Sequence, residues 1–381
     1  MPMPRPAAPE AYWRGRLAAA CALLALAACA PPEPVRIGFV GGLSGRVADL
    51  GGEGKDGAQL AVERANRAGG VHGRPIELIV RDDAQDADTA RQAMSELIAA
   101  GVQVVVGPMT SAMAEVLIPL ADAAGVVLIS PTVTGSRFSG RDDNFFRVIS
   151  ATTEYARAAA DFLAREQGVR RAALIIDEGN LAYTADWAAQ FRLALVAAGG
   201  AVVAQEGFSS AVDDSLLARV ARLLEAGPDA LVVVAGAVDA ARVVQILRRQ
   251  DGRVGALVAD WAATERLVEL GGRAVEGLFA PQYFDREDDT ERFRAFRSAY
   301  EQRFGAAPGF ASVAGYDAAS VAIAALAEQG EGPLKARLLA RGFDGVQQPV
   351  VFDRYGDASR PVRFTVVRDG RFVPYRPGGG R

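Results

Sequence analysis

The sequence predicts an α/β protein built from two Rossmann-like lobes with a ligand cleft between them. Three observations carry this. From Val35 onward, short β-branched apolar runs alternate with longer helical patterns, the signature of a parallel sheet covered by helices. The alternation restarts near residue 151, so the same design occurs twice. The body beyond the first 28 residues is about 350 long, enough for two domains with cores of their own.

Taken in order, residues 35–41 read as the first strand. A helix over about 51–67 follows, with Ala58, Ala61, Val62 and Ala65 on one face. Residues 76–80 form the second strand, and a helix from about Asp88 leads to the third over 102–106. A helix over 111–123 and a strand over 126–129 complete the first unit. These strands are apolar on both faces, as expected where helices cover each side of the sheet. In the second unit strands are expected over 172–176, 202–208, 230–234 and 256–258, with helices over 185–198, 216–224 and 239–249. The last hundred residues depart from the pattern, with helices over 291–304 and 313–326 and no strand between them. Apolar runs at 350–353, 362–367 and 371–373 then read as antiparallel strands, turning at Tyr355-Gly356-Asp357 and Asp369-Gly370. In open α/β sheets ligands bind beyond the carboxyl ends of the strands, so two facing lobes share one site.

The first 28 residues do not read as part of a fold. Arg5, Arg14 and Arg16 precede an uncharged run over 17–28. That run is too short to span about 30 Å of hydrocarbon, which takes roughly 20 residues, but it matches the apolar core of a secretory signal. No second apolar stretch approaches transmembrane length. The run ends in Leu26-Ala27-Ala28-Cys29, which resembles the lipobox of bacterial lipoproteins. The resemblance implies removal of residues 1–28 and acylation of Cys29, with 29–34, including Pro31, Pro32 and Pro34, as an extended tether. One acyl chain holds a protein only marginally, and the three of a bacterial lipoprotein suffice. The body is then expected on the periplasmic or cell-surface side of a membrane. The alternative is an ordinary secreted protein cut near Ala28, with Cys29 incidental.

Composition excludes several function classes. Cys21 leaves with the signal, so the mature body has no disulfide. The whole chain has a formal charge of −4, and residues 1–28 carry three Arg and one Glu, which leaves the body near −6. Acidic and basic residues are interspersed without a basic stripe, which argues against nucleic acid as a partner. The single histidine, His72, lies in Gly69-Gly70-Val71-His72-Gly73, a Gly-rich turn where a structural or surface role is expected. Thiol nucleophiles, His-rich zinc sites and most Ser-His-Asp triads are therefore unavailable. No enzyme activity, cofactor or metal is expected. Gly38, Gly41, Gly42 and Gly45 lack the G-x-G-x-x-G spacing of a dinucleotide loop.

A set of short motifs occurs in a fixed order: Gly41-Gly42-Leu43-Ser44-Gly45, Asp56-Gly57-Ala58, Gly69-Gly70-Val71-His72-Gly73, Asp82-Asp83 and Val106-Gly107-Pro108. They continue with Ile129-Ser130-Pro131, Phe145-Phe146-Arg147, Val275-Glu276-Gly277 and Gly315-Tyr316-Asp317-Ala318. Together these resemble the type I periplasmic solute-binding proteins of the branched-chain amino-acid (Leu/Ile/Val) class, receptors of ABC importers, over residues 35 to about 373. The resemblance implies three crossings between lobes, with residues 35–150 plus 283–330 in lobe 1 and 151–282 plus 331–381 in lobe 2. It implies a hinge near Ser150-Ala151, Pro281-Gln282 and Gly330-Glu331-Gly332, closure around a small ligand, and ABC permease subunits as partners of a monomeric receptor.

Candidate ligand contacts follow. A strand ends at Gly107-Pro108-Met109-Thr110-Ser111 and a helix begins, so a capping hydroxyl and free amides at the positive helix end suit an anion. The resemblance makes Ser111 the ligand-carboxylate contact and matches Val133 and Thr134 to a backbone and a hydroxyl contact. Ser44 would line the same mouth. In lobe 2, Tyr183 is the candidate aromatic, with Asn180 beside it. The family's next aromatic and its ammonium-accepting glutamate are replaced here by Ala235-Gly236-Ala237-Val238-Asp239 and Ala259-Asp260-Trp261. Asp260 or Asp239 could accept an ammonium, and Trp261 could stack on the ligand. Asp260 could instead cap the following helix. The expected ligand is a small carboxylate, with an amino acid favoured. A competing reading is a lipid-anchored regulator of a cell-envelope enzyme built on the same fold.

Overall fold

The computed structural model describes Met1 and residues 32–209, 215–329 and 332–377. Cys29 and the segment before it lie outside the described residues. The chain runs β1 (Val35–Gly41), α1 (Ala48–Arg67), β2 (Ile76–Asp82), α2 (Ala87–Ala99), β3 (Val104–Val106), α3 (Ser111–Ala124), β4 (Val127–Ser130) and β5 (Phe145–Arg147). These strands form one parallel sheet in the order β2-β1-β3-β4-β5. The second unit runs α4 (Thr152–Arg165), β6 (Arg171–Asp177), α5 (Leu181–Ala197), β7 (Ala201–Phe208), α6 (Leu216–Glu225) and β8 (Ala230–Val234). It continues with α7 (Ala237–Gln250), β9 (Gly255–Val258), α8 (Glu265–Gly271) and β10 (Phe279–Gln282). After α9 (Glu291–Phe304), α10 (Phe310–Ala327) and α11 (Leu334–Leu339), the chain ends in β11 (Arg363–Arg368) and β12 (Arg371–Pro374). The second sheet is ordered β12-β11-β10-β9-β8-β6-β7, with β11 and β12 antiparallel at one edge. Asp369 and Gly370 have φ of 51° and 69°, the pair of left-handed residues that a tight two-residue hairpin needs.

Small residues decide how the helices sit on lobe 1. Gly57 of α1 and Gly315 of α10 mark a close backbone approach: an added Cβ would lie 2.0 Å from the Ser312 carbonyl oxygen in one case and 2.1 Å from that of Gly54 in the other. Helix α10 is long and apolar enough to cross a membrane by composition, and 67% of it is buried inside the protein. The expectation that no second apolar stretch reaches that length is thereby corrected. The same apolarity makes α10 the central core helix of this lobe, with Val313, Ala314, Ala318 and Val321 at most 1% exposed. His72 is exposed in the turn that closes on Val71 and Arg74.

Between the lobes the chain crosses three times. The first crossing passes Ser150 into α4, and the second leaves β10 at Gln282, after which the Tyr283 hydroxyl donates to the Phe310 carbonyl of lobe 1 at 2.8 Å. The third differs from expectation. Residues 334–358 stay on lobe 1 rather than joining lobe 2: Lys335 reaches Asp142 at 2.7 Å, the Val346 amide donates to Asp317 at 2.7 Å, and Phe352 packs edge-on against Phe146 at 5.1 Å. Phe343, Val346, Val350 and Phe352 bury their side chains there, so burial holds this segment on lobe 1. Residues 350–353, expected as a strand, make only isolated bridges, Phe343 to Val350 and Phe352 to Ala358. The chain returns to lobe 2 only between Arg360 and β11.

Arg360 ties the three crossings together. Its amide donates to Ser150 Oγ at 2.8 Å, and Ser150 Oγ donates back to its carbonyl at 3.0 Å. Its Nε donates to the Val148 carbonyl at 2.5 Å, and Nη2 pairs with Asp317 at 2.8 Å. The guanidinium lies over the Tyr283 ring at 5.0 Å. Arg360 is 2% and Asp317 0% exposed, so removing one partner strands a buried charge. Arg360→Ala is expected to lower stability by about 3–5 kcal/mol in urea titration, and Arg360→Met with Asp317→Leu by much less. A loss under about 1 kcal/mol for the single variant would mean that the pair is dispensable to the hinge.

Candidate functional site

Strand β3 delivers the chain to the cleft through Gly107, whose φ of +127° and 2.2 Å Cβ approach to the Val40 carbonyl oxygen admit no side chain. Thr110 stands at the N-cap of α3 in extended conformation, but its hydroxyl donates to Gln85 at 2.9 Å instead of capping. The cap comes from the other lobe. Asn180 Oδ1 accepts from the Ala112 amide at 3.0 Å. Ser111 is 2% exposed, and its hydroxyl oxygen accepts from the Gly135 amide at 3.3 Å. From β4, Ser130 Oγ donates to the Pro108 carbonyl at 2.7 Å, and Thr132 donates to the Met109 carbonyl at 2.6 Å. These bonds fix the two lobe 1 loops against each other.

Lobe 2 contributes one buried carboxylate. Asp260 follows β9 in a single 3-10 turn, and its Oδ1 accepts from the Tyr183 hydroxyl at 2.8 Å and from Trp187 Nε1 at 3.2 Å. Tyr183 meets Trp261 edge-on, with centroids 5.7 Å apart. Burial pushes the Asp260 carboxyl up to about 6, against the two hydrogen bonds that favour its charged form. Its Oδ1 is held by these two aromatic partners, and Thr264, not Asp260, stands at the N-cap of α8.

The two walls enclose a cavity of about 390 Å³, part of it open to solvent. Ser111, Thr110 and Thr132 face it from lobe 1, Asn180, Tyr183, Asp260 and Trp261 from lobe 2, and Ile149, Tyr155, Gln282 and Tyr283 from the crossings and the start of α4. Leu50, Met109 and Phe310 complete an apolar lining. Among the described residues no lysine or arginine lines it. Among the described residues no group of three His, Cys, Asp or Glu side chains could hold a metal.

The cleft is shut. Besides Asn180 on Ala112, the Thr264 hydroxyl bonds Asp49 at 2.7 Å and the Ser136 amide donates to Asp186 at 2.7 Å. Arg46 of lobe 1 pairs with Asp239 and, at 3.4 Å, with Asp177. All five contacts run from one lobe to the other.

Of the residues singled out from sequence, the structure brings Ser111, Asn180, Tyr183, Asp260 and Trp261 to one cavity. It places four elsewhere. Ser44 is exposed in the turn before α1. Val133 is 0% exposed in the core of lobe 1, and its amide is bonded to Ser130 Oγ at 2.9 Å. Thr134 accepts from the Thr152 amide at 2.7 Å, the Thr152 hydroxyl at 2.9 Å and Arg147 at 2.9 Å, so the first crossing consumes it. Asp239 holds Arg46 across the cleft rather than facing the cavity. The turn after β4 thus presents Thr132, two residues earlier than expected. Tyr155, Gln282 and Tyr283 went unnoticed because they belong to the crossings, where helical or strand periodicity gives no sign of a cavity.

A family model described as periplasmic binding protein matches residues 34–371. The chain is 30% identical over 196 residues to Leu/Ile/Val-binding protein homolog 3 of Brucella melitensis, a match spanning 51% of this chain and about half (52%) of that relative. It is 25% identical over 350 residues to the leucine-, isoleucine-, valine-, threonine-, and alanine-binding protein of Pseudomonas aeruginosa, covering 90% of this chain and 92% of the relative. Among solved structures, an ABC transporter substrate-binding protein from Desulfitobacterium hafniense in complex with Leu superposes with a TM-score of 0.75. It has 25% identity and covers 90% of this chain and 100% of that one.

The raised Asp260 carboxyl has a defined pH signature. Because its folded value of about 6 lies above the ordinary aspartate value of 3.8, the folded state holds the proton more tightly between those limits. Stability is therefore full at low pH and falls as pH rises toward 6, by an amount on the order of 3 kcal/mol. Asp260→Asn keeps an acceptor for Tyr183 and Trp187. It should raise the stability of the ligand-free protein at pH 7 and flatten its pH dependence between 4 and 6, as read by urea titration at each pH. An unchanged slope in the variant would assign the dependence to another group.

Proposed function

The chain belongs to the periplasmic binding protein family, and from that premise we propose that it is the extracytoplasmic receptor of an ABC importer for a small α-amino acid. One observation carries the reading: the amino end of α3 at Ser111 and the buried carboxylate of Asp260 face a single cavity from opposite lobes. A zwitterion matches that polarity. Its carboxylate suits the positive helix end and the Ser111 hydroxyl, and its ammonium suits Asp260. The ammonium would also offset the cost of burying that carboxylate without a cation. Leu50, Met109 and Phe310 then take the apolar part of the ligand.

Closure follows from the same contacts. Arg46 with Asp239, Asn180 with Ala112 and Thr264 with Asp49 each join the lobes, so each forms as the cleft shuts and breaks as it opens. A ligand that touches both walls favours the closed state by its differential affinity. The closed form is the one a permease would read, with domain closure about a hinge as the signal. The apolar run ending at Leu26-Ala27-Ala28-Cys29 supports export and a lipid on Cys29, which would keep the receptor beside its transporter on the outer face of the membrane.

Refolded, ligand-free protein screened by thermal melting against amino acids and small organic acids should be stabilised by about 2.7 kcal/mol when a true ligand stands at 100 times its Kd. No stabilisation by any of them, with no heat in calorimetry, would refute the receptor reading. Ser111→Ala is expected to weaken a carboxylate ligand by roughly tenfold, the scale of one hydrogen bond to a charged group. Unchanged affinity would remove Ser111 from the site. Cys29→Ser should release the protein from membranes while leaving ligand affinity intact, and a variant that remains in the membrane fraction would rule out the anchor.

A further inference from the structure

Tyr155 sits in the first turn of α4, where the chain has just entered lobe 2. It is 1% exposed and lines the cavity. Its hydroxyl makes no hydrogen bond to any described residue, and burial is the main influence on it. The hydroxyls of the cavity's other tyrosines and of its threonines, and the Gln282 amide, are engaged. The Tyr183 hydroxyl donates to Asp260 at 2.8 Å, that of Tyr283 donates to the Phe310 carbonyl at 2.8 Å, and Gln282 is held at both ends. The hydroxyls of Thr110 and Thr132 are also bonded.

A hydroxyl that a ligand seals from water without giving it a partner weakens binding by roughly tenfold or more. In the reading above Ser111 and Asp260 take the ligand's head group, so a purely aliphatic ligand closing the cleft would seal this phenol away from water with nothing on its side chain to bond. A ligand carrying a hydroxyl or amide beyond its α-carboxylate and α-ammonium would supply the missing partner. We propose that Tyr155 is a specificity-determining ligand contact whose hydroxyl hydrogen-bonds a polar group on the ligand's side chain, selecting polar side chains over aliphatic ones of the same shape. A site built around an unpaired polar group discriminates strongly against the analogue that lacks the matching atom. The inference rests on the amino-acid reading given above and adds the side-chain class to it.

Threonine against valine and asparagine against leucine are near-isosteric pairs that isolate the polar atom. Calorimetry on the full-length protein is expected to give a Kd at least about tenfold lower for the polar member of a pair that fits the cavity. Tyr155→Phe, which keeps the ring, should reduce that ratio to within about twofold, chiefly by weakening the polar member. A melting temperature no lower than the wild type's in the ligand-free variant checks that the fold is kept. Equal affinities within each pair in the wild-type protein would overturn the proposal while leaving the amino-acid reading intact. So would a preference that survives Tyr155→Phe, or an equal loss for both members, which would put the hydroxyl on the head group. Absence of binding by every amino acid would instead overturn the reading on which this rests.

Discussion

Everything the two lobes do to one another depends on a single buried cation at the hinge. Arg360 bonds the first crossing through Ser150 and Val148, stacks on Tyr283 of the second, and is itself the third. Asp317 of α10 neutralises it from the core of lobe 1. A planar guanidinium suits this task because it can donate in several directions while its face rests on a ring. Three strands of chain that cross between the lobes are thereby joined at one point.

The position of that joint sets the site. Ile149 and Tyr283, adjacent to the Arg360 cluster, also line the cavity, so the hinge is the cavity's floor. The walls are the loops after β3 and β4 on one side and after β6 and β9 on the other, as expected at the carboxyl ends of parallel strands. Placing a carboxylate there without a basic neighbour leaves Asp260 raised toward neutral pH. The site is thus electrostatically incomplete in the ligand-free protein, and a cationic group is what would complete it.

The interlobe contacts among the described residues include ones that water can reach. Arg46 is about one-third exposed at its side chain, so its pairs with Asp239 and Asp177 are only partly shielded from water. Contacts of this kind contribute little alone and are matched by hydration when the cleft opens. In the proposed reading they select the angle at which the lobes meet, and a ligand would supply the preference for the closed state. Asn180 has a double place in this scheme, since the oxygen that caps α3 lies beside Ser111, where a ligand carboxylate would sit.

Much of this was legible in the sequence. Hydrophobic alternation located most of the strands and helices within a few residues, because both lobes are two-sided parallel sheets whose strands are continuous apolar runs. The helix start at Ser111 and the acid–aromatic pair Asp260-Trp261 were visible for the same local reason: they directly follow strands, and strand ends in this architecture face the crevice. The sequence alone also marks the apolar run before Cys29, whose meaning depends on composition and not on folding. Tertiary structure decided the rest. Thr134 and Asp239 carry the right chemistry in the right neighbourhood, but the hydroxyl of one is held by that of Thr152 and the carboxylate of the other by Arg46. Whether a polar side chain is free depends on which distant residue reaches it. Residues 334–358 follow the same rule, since their side chains are buried against lobe 1 although the chain leaves for lobe 2 soon afterwards. Tyr155 completes the contrast: its residue type is ordinary for a helix, and only the packed neighbours that leave its hydroxyl unbonded make it distinctive.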